Sequence, residues 1–118
     1  MNLLALAATL LLAAAPTARA PSVIRARDGG KTFRLALGRE VHLRLDHRTW
    51  TWSNVTASSR AIKLTRIVFV RDPGYDEWLV RGRARGRARI SATGQIPCRT
   101  NPCPPTPLRL FAVTLLVG

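Results

Sequence analysis

The stretch Trp78-Leu79-Val80-Arg81-Gly82-Arg83-Ala84-Arg85-Gly86-Arg87-Ala88-Arg89-Ile90-Ser91-Ala92 decides the fold. On both sides of Gly86, small or apolar residues alternate with polar ones, most of them arginines, and a period of two is typical of half-buried β-strands. A helix would place arginines four residues apart on one stripe and would be weakened by its glycines. The stretch therefore predicts two strands, over residues 78–84 and 87–93.

These two strands are not expected to pair with each other. A hairpin with matching faces would place Arg83 opposite Arg87 and Arg81 opposite Arg89, and like charges directly across a ladder are unfavourable. We therefore predict that the chain crosses from one sheet to another at Arg85-Gly86. The crossing would put Trp78, Val80, Ile90 and Ala92 inside a sandwich, with Glu40 outward as a neighbour of Arg81 or Arg83.

The rest of the chain gives further short strands and turns. Strands are predicted over 22–27, 32–37, 41–45 and 108–117, and a further strand has Trp50 and Trp52 on its buried face. Another is predicted over 62–70, with a bulge or break near Thr65-Arg66. Loops or turns are predicted over 53–60 and 71–77. These are seven or eight strands, and no helix is expected after residue 20. This pattern indicates an all-β sandwich, and 118 residues give room for a single domain.

The N-terminus has the features of an export signal. Leu3 to Ala15 is an apolar run that contains one threonine, Pro16 ends it, and Ala18-Arg19-Ala20 supplies a small-x-small cleavage pattern. A retained membrane anchor is the alternative, but a spanning helix takes about 20 apolar residues and this run is shorter. We therefore predict a signal peptide over 1–20, cleavage between Ala20 and Pro21, a secreted domain over 21–118, and no membrane span after removal of the leader.

The sequence contains two cysteines, Cys98 and Cys103, in a proline-rich segment. In an exported protein they predict one disulfide that closes a short loop and stabilises the fold by about 2 kcal/mol. Zinc binding would need further ligands, and His42 and His47 are distant in sequence and differently flanked. No metal or cofactor is therefore predicted.

The net charge and the residue types present narrow the range of functions that the sequence allows. Nineteen basic residues against six acidic ones give a net charge of +13, which attracts polyanions, although alternating arginines usually mark the solvated face of a strand. With two histidines and no nucleophile beside a base, the sequence indicates a non-catalytic protein. We expect its loops to contact a protein or cell-surface partner, through candidates His47, Arg48, Tyr75 and Arg99, and nucleic acid is disfavoured as a partner.

The order of these segments is similar to a known domain. Gly38 precedes a Val-x-Leu-x-Leu strand, a tryptophan strand follows at 50–52, and the alternating stretch and a proline-bearing loop lead to Phe111-x-Val113-Thr114-Leu115-x-Val117. This layout resembles the chagasin-type immunoglobulin-like domain and small secreted actinobacterial proteins of that shape, over nearly all of residues 32–117. The resemblance implies an immunoglobulin-like β-sandwich of seven or eight strands.

The resemblance also implies a function, because chagasin-type proteins inhibit papain-like cysteine proteases through three loops at one end. Their first loop carries Asn-Pro-Thr-Thr-Gly, where this chain has residues 46–50, Asp-His-Arg-Thr-Trp. The second is a glycine cluster, where this chain has Asp72-Pro73-Gly74-Tyr75, and the third carries Arg-Pro-Trp, where it has residues 95–99, Gln-Ile-Pro-Cys-Arg. No inhibitory residue is carried over. Contact with an unidentified partner is therefore the first hypothesis, protease inhibition the second, and polyanion binding the third.

Overall fold

The computed structural model describes residues 17–118, and this part of the chain contains nine strands in two sheets. The strands are β1 (Ala18–Arg19), β2 (Val23–Arg25), β3 (Thr32–Leu35), β4 (Glu40–Asp46), β5 (Thr51–Ala57), β6 (Ile62–Ile67), β7 (Tyr75–Gly82), β8 (Gly86–Gln95) and β9 (Leu108–Val117). A single 3₁₀ turn, Ala26–Asp28, follows β2. In these residues no helix has the length and apolar character needed to cross a membrane.

The two sheets pack face to face as an immunoglobulin-like β-sandwich, which confirms the predicted fold class. One sheet has five strands in the order β1-β3-β9-β8-β5, and the other has four in the order β2-β4-β7-β6. Both are mixed, because β3 runs parallel to β9 and β2 parallel to β4, while the long central pairs are antiparallel. Edge strands β5 and β6 face each other across the sandwich at one side.

The core is formed by the inward positions of the alternating strands. Trp78, Val80, Ile90 and Ala92 are all buried, as predicted, and β4 and β9 add their own alternate residues. Gly82 continues the inward row at a point where the sheets are close. A Cβ there would lie 3.0 Å from both the Ala36 carbonyl oxygen and Cγ1 of Val117, so the glycine permits this approach.

The predicted crossing is confirmed. β7 belongs to the four-stranded sheet and β8 to the five-stranded sheet, and residues 83–85 connect them. Arg81 lies directly opposite Glu40 in the ladder of β7 with β4, and Nη1 of Arg81 is 3.9 Å from Oε1 of Glu40. Arg87 and Arg89 lie on the other sheet, opposite Leu116 and Thr114. The arginines are thus divided between the two outer faces.

The predicted loop over 53–60 is wrong in its first half. β5 continues to Ala57, with a bulge between Ser53 and Thr56 where Asn54 has a φ of 54°. The polar side chains suggested a loop, but β5 is an edge strand paired to β8, and most of these side chains face solvent. Polarity alone therefore does not separate an exposed edge strand from a loop.

The apolar run after Ile67 also differs from the prediction. β6 ends at Ile67, and Val68, Phe69 and Val70 lie in the connection to β7 instead of extending the strand. β7 in turn begins at Tyr75, inside the segment predicted as a turn over 71–77. A short apolar run has the same composition in a buried strand and in an exposed apolar loop, so periodicity could not distinguish them.

The start of the described chain bears on the predicted cleavage site. The apolar run from Leu3 to Ala15 lies outside the described residues. Ala18–Arg19 form the short edge strand β1, and Ala20 is buried, with its N–H donating to the Arg34 carbonyl at 2.8 Å. Cleavage between Ala20 and Pro21 stays a prediction. It would remove β1 and leave the sheet edge at β3.

Candidate partner-binding end

Three connections meet at one end of the sandwich, which we call the loop end. The first loop (residues 47–50) joins β4 to β5, the second (68–74) joins β6 to β7, and the third (96–107) joins β8 to β9. They gather because β4 and β6 both run antiparallel to β7, and the start of β5 pairs with the end of β8. The predicted contact residues His47, Arg48, Tyr75 and Arg99 all lie at this end.

His47 fastens the first loop to the second. Its Nε2 is 2.6 Å from Oδ1 of Asp72, its Nδ1 is 3.2 Å from Oδ1 of Asp76, and its backbone N–H donates to the Gly74 carbonyl at 3.1 Å. Asp72 Oδ1 also accepts the N–H of Gly74 at 2.7 Å. One imidazole ring thus bridges a carboxylate of the second loop and a carboxylate at the start of β7.

We call His47, Asp72 and Asp76 the His47 clamp, and their charges shift the pKa values of His47 and Asp72. Burial alone would lower the pKa of His47, but its hydrogen bonds to Asp76 and Asp72 and their negative charges outweigh burial, so the pKa is raised above its ordinary 6.5. The pKa of Asp72 is lowered, mainly by the hydrogen bond from Gly74; desolvation opposes this effect, and the hydrogen bond and charge of His47 and the charge of Arg48 add to the lowering. The clamp therefore favours a protonated His47 beside an ionised Asp72.

The first loop also contacts the third. Arg48 and Thr49 line a hollow of about 460 Å³ together with third-loop residues that include Ile96 and Arg99. The Cys98–Cys103 disulfide predicted from the sequence closes the third loop, with an S–S distance of 2.01 Å. Arg48 also lies against the second loop, because a Cβ on Gly74 would be 2.7 Å from its Nε. The first loop is thus the central one of the three.

The second loop carries an exposed apolar tip, formed by Val68, Phe69 and Val70. Val68 is 86% exposed and Val70 is fully exposed, whereas Phe69 is 37% exposed. The Phe69 ring packs edge-on against Tyr75, with centroids 5.6 Å apart, and the Arg44 guanidinium lies 5.0 Å from the Tyr75 ring centroid. The aromatic pair supports the loop, and the two valines project into solvent.

A partly buried ion pair lies at the base of this arrangement. Arg44 donates a hydrogen bond to Glu77, which lies directly opposite it in the β4–β7 ladder and is buried. This hydrogen bond is the main reason that the pKa of Arg44 is raised. His42 approaches the same carboxylate, with its Nδ1 3.4 Å from Oε1 of Glu77. The pair fixes Arg44 under the Tyr75 ring.

The sequence identified four residues of this end but missed its apolar tip. His47, Arg48, Tyr75 and Arg99 were predicted from their places in loops, and the structure brings all four to one end. The tip was assigned to a strand, although the turn residues Asp72-Pro73-Gly74 that follow closely were a signal for a loop. Across residues 17–118, no group of three or more His, Cys, Asp or Glu side chains is arranged to hold a metal ion.

Comparisons with known proteins agree with the fold. The cysteine protease inhibitor EhICP2 from Entamoeba histolytica superposes with a TM-score of 0.61 and 13% identity, over 81% of this chain and 93% of that one. The solution structure of amebosin matches with a TM-score of 0.53 and 15% identity, over 81% of this chain and 96% of that one. No family model and no curated protein matches the sequence. The resemblance to chagasin-type domains is therefore confirmed at the level of the fold.

Proposed function

We propose that this protein binds a papain-like cysteine protease through its loop end and does so without catalysing a reaction. The fold is shared with a cysteine protease inhibitor along nearly the whole of that chain. This support raises the inhibitor hypothesis above contact with an unidentified partner, which was the first hypothesis from the sequence. The likeness is one of fold, so the residues that make the contact are argued from this chain.

The observation that carries the proposal is the exposed apolar tip of the second loop. Val68 and Val70 are both exposed on a loop that is held at its base by the His47 clamp and by the Phe69–Tyr75 contact. Keeping such residues in water is costly, and burying one valine in a partner contributes about 1.5–3 kcal/mol. An exposed apolar tip on a loop that is held at its base suits an apolar cleft of a partner, because less of the loop has to be ordered on binding.

The flanking loops would supply the polar rim of the interface. Arg48 and Arg99 both line the hollow between the first and third loops, where their guanidinium groups can donate to backbone carbonyls of a partner. These residues differ from the chagasin-type loop patterns. The proposed contact therefore uses an apolar tip and arginines where those proteins use their own motifs.

The proposal places the protein outside the cell, where the predicted leader would direct it. The Cys98–Cys103 disulfide agrees with an oxidising compartment, in which such bonds persist. Mass analysis of the protein recovered from culture medium tests this part separately. We expect a chain that begins at Pro21, and recovery of the chain starting at Met1 would contradict it.

Binding can be tested by titrating active papain with the purified protein and following both heat of binding and peptidase activity. We expect saturable binding with loss of activity, and Val70→Ser should weaken it about tenfold through the loss of buried apolar area. Leu116→Ser is the matched control, since Leu116 is a partly exposed aliphatic residue near the end of β9. It should leave the affinity unchanged.

Two results would overturn the proposal. If neither papain nor other papain-like proteases bind, the likeness to the inhibitor fold carries no shared activity. If a protease binds but Val70→Ser and Leu116→Ser have equal effects, the loop end is not the interface. Circular dichroism of both variants separates these results from a loss of folding.

A further inference from the structure

The opposite end of the sandwich gathers positive charge from three separate turns. We call it the crossover end, because it contains the connection from β7 to β8, residues 83–85. Arg39 lies in the turn before β4, Arg60 in the turn before β6, and Arg83 and Arg85 in the crossover itself. The sequence separates these residues widely, so their meeting is a consequence of the topology.

Two adjoining hollows at this end are lined by basic residues. The first, of about 380 Å³, is lined by Lys63, Arg81 and Arg83, and the second, of about 690 Å³, by Arg60, Lys63 and Arg83. Lys63 and Arg83 line both hollows, so the two lie next to each other, and we call the pair the basic groove. Its other lining residues are neutral: Leu37, Gly38, Ser59, Ile62, Leu64, Gly82 and Ala84.

The groove contains an arrangement that a sheet normally avoids. Lys63 lies directly opposite Arg81 in the ladder of β6 with β7, and two like charges facing each other are destabilising. Glu40 is the nearest carboxylate, 3.9 Å from Arg81, and both side chains of that pair are about half exposed. One exposed acid leaves several bases uncompensated, and such a local violation of sheet rules is expected at a functional site.

The acidic residues are concentrated elsewhere. Of the six in the sequence, Asp46, Asp72, Asp76 and Glu77 lie at or beside the loop end. Asp28 forms an ion pair with Lys31 in the turn after β2, at 3.1 Å. The molecule therefore has a strongly positive crossover end, and this end can attract an anionic partner over a distance set by the ionic strength.

From these observations we infer a second binding site: the basic groove binds a linear anionic polysaccharide with sulfate or phosphate groups. Guanidinium groups donate paired hydrogen bonds to such tetrahedral oxyanions, and a groove with several bases can follow a chain of them. No aromatic side chain lines either hollow, so the bases of a nucleic acid would find no stacking surface there. The site is independent of the proposed protease contact at the loop end.

Heparin, a linear sulfated polysaccharide, is the probe for this site. We expect the full chain to bind immobilised heparin. It should elute at a higher salt concentration than from a cation-exchange column that carries the same density of negative groups without a polysaccharide chain. Lys63→Gln and Arg83→Gln should each weaken binding about fivefold at low salt, since each removes one charge contact. Arg99→Gln removes the same charge at the loop end and should have little effect.

A variant that gains affinity makes the test independent of damage to the fold. Glu40→Gln removes the carboxylate that competes for Arg81, so it should strengthen heparin binding while changing the net charge by only one unit. Equal effects of Arg83→Gln and Arg99→Gln would overturn the site, because binding would then follow net charge alone. Tighter binding to a DNA oligonucleotide or to vesicles containing phosphatidylglycerol would overturn the choice of polysaccharide.

Discussion

Arg81 and Glu40 face each other across the β4–β7 ladder, with Nη1 and Oε1 3.9 Å apart and both side chains about half exposed. Four residues along the same ladder, Arg44 faces Glu77, whose side chain is only 6% exposed. The two pairs have the same chemistry and the same strands, and they differ in burial. Comparing the two pairs therefore shows how burial changes the contribution of an ion pair to the free energy of unfolding.

Removing the arginine that pairs with the buried carboxylate should be more costly than removing the arginine of the exposed pair. Arg44→Ala leaves the buried Glu77 carboxylate without the hydrogen bond that Arg44 donates, and we expect it to lower the free energy of unfolding by about 1–3 kcal/mol. Arg81→Ala should change it by less than about 1 kcal/mol, because exposed pairs contribute little and Lys63 is relieved of a like charge. Urea unfolding of both variants measures the difference, and equal losses would contradict this account.

The His47 clamp predicts a dependence of stability on pH. The raised pKa of His47 contributes stability that is fully present below its unfolded value of 6.5 and is lost as the pH rises through the folded pKa. The lowered pKa of Asp72 contributes stability that is present above 3.8 and is lost as the pH falls through the folded pKa. The clamp should therefore be strongest between pH 3.8 and 6.5.

Comparing the wild type with His47→Gln isolates this effect. The wild type should lose stability relative to the variant as the pH rises above 6.5, as measured by thermal unfolding at each pH. Asp72→Asn should reduce the same difference, because it removes one of the two carboxylates that hold the imidazole. A pH profile that is identical in the wild type and in His47→Gln would show that the clamp does not contribute.

The disulfide is expected to shape the third loop more than it holds the sandwich. Because Cys98 and Cys103 close a very short loop, replacing both with serine should lower the free energy of unfolding by about 2 kcal/mol or less. The far-ultraviolet circular dichroism of the sandwich should be unchanged. Alkylation of both cysteines in the unreduced native protein would show that the bond is absent.

The sequence predicted the features that depend on alternation and charge along one segment. The crossing at residues 83–85 followed from like charges that a hairpin would have brought together, and the buried face of Trp78 and Val80 followed from period two. The polar edge strand over 53–57 and the apolar tip at Val68 and Val70 were assigned wrongly. Their composition reflects exposure in the folded molecule, which a local pattern does not contain.

Features made by distant residues were beyond prediction for a different reason. His47 reaches Asp72 and Asp76 across more than twenty residues, and the basic groove joins residues from several connections and strands. Each residue alone has the properties of an ordinary exposed side chain. Only the topology, which brings alternate turns to the same end of a sandwich, shows which of them are neighbours.

Hydrogen–deuterium exchange of the protein with and without saturating papain tests the central claim most directly, since it reports which end of the sandwich is covered. The account predicts slower exchange in residues 47–50, 67–75 and 96–107, with residues 81–87 at the crossover end unchanged. Protection confined to the crossover end or to an outer sheet face, or no protection at a papain concentration that saturates binding, would contradict it.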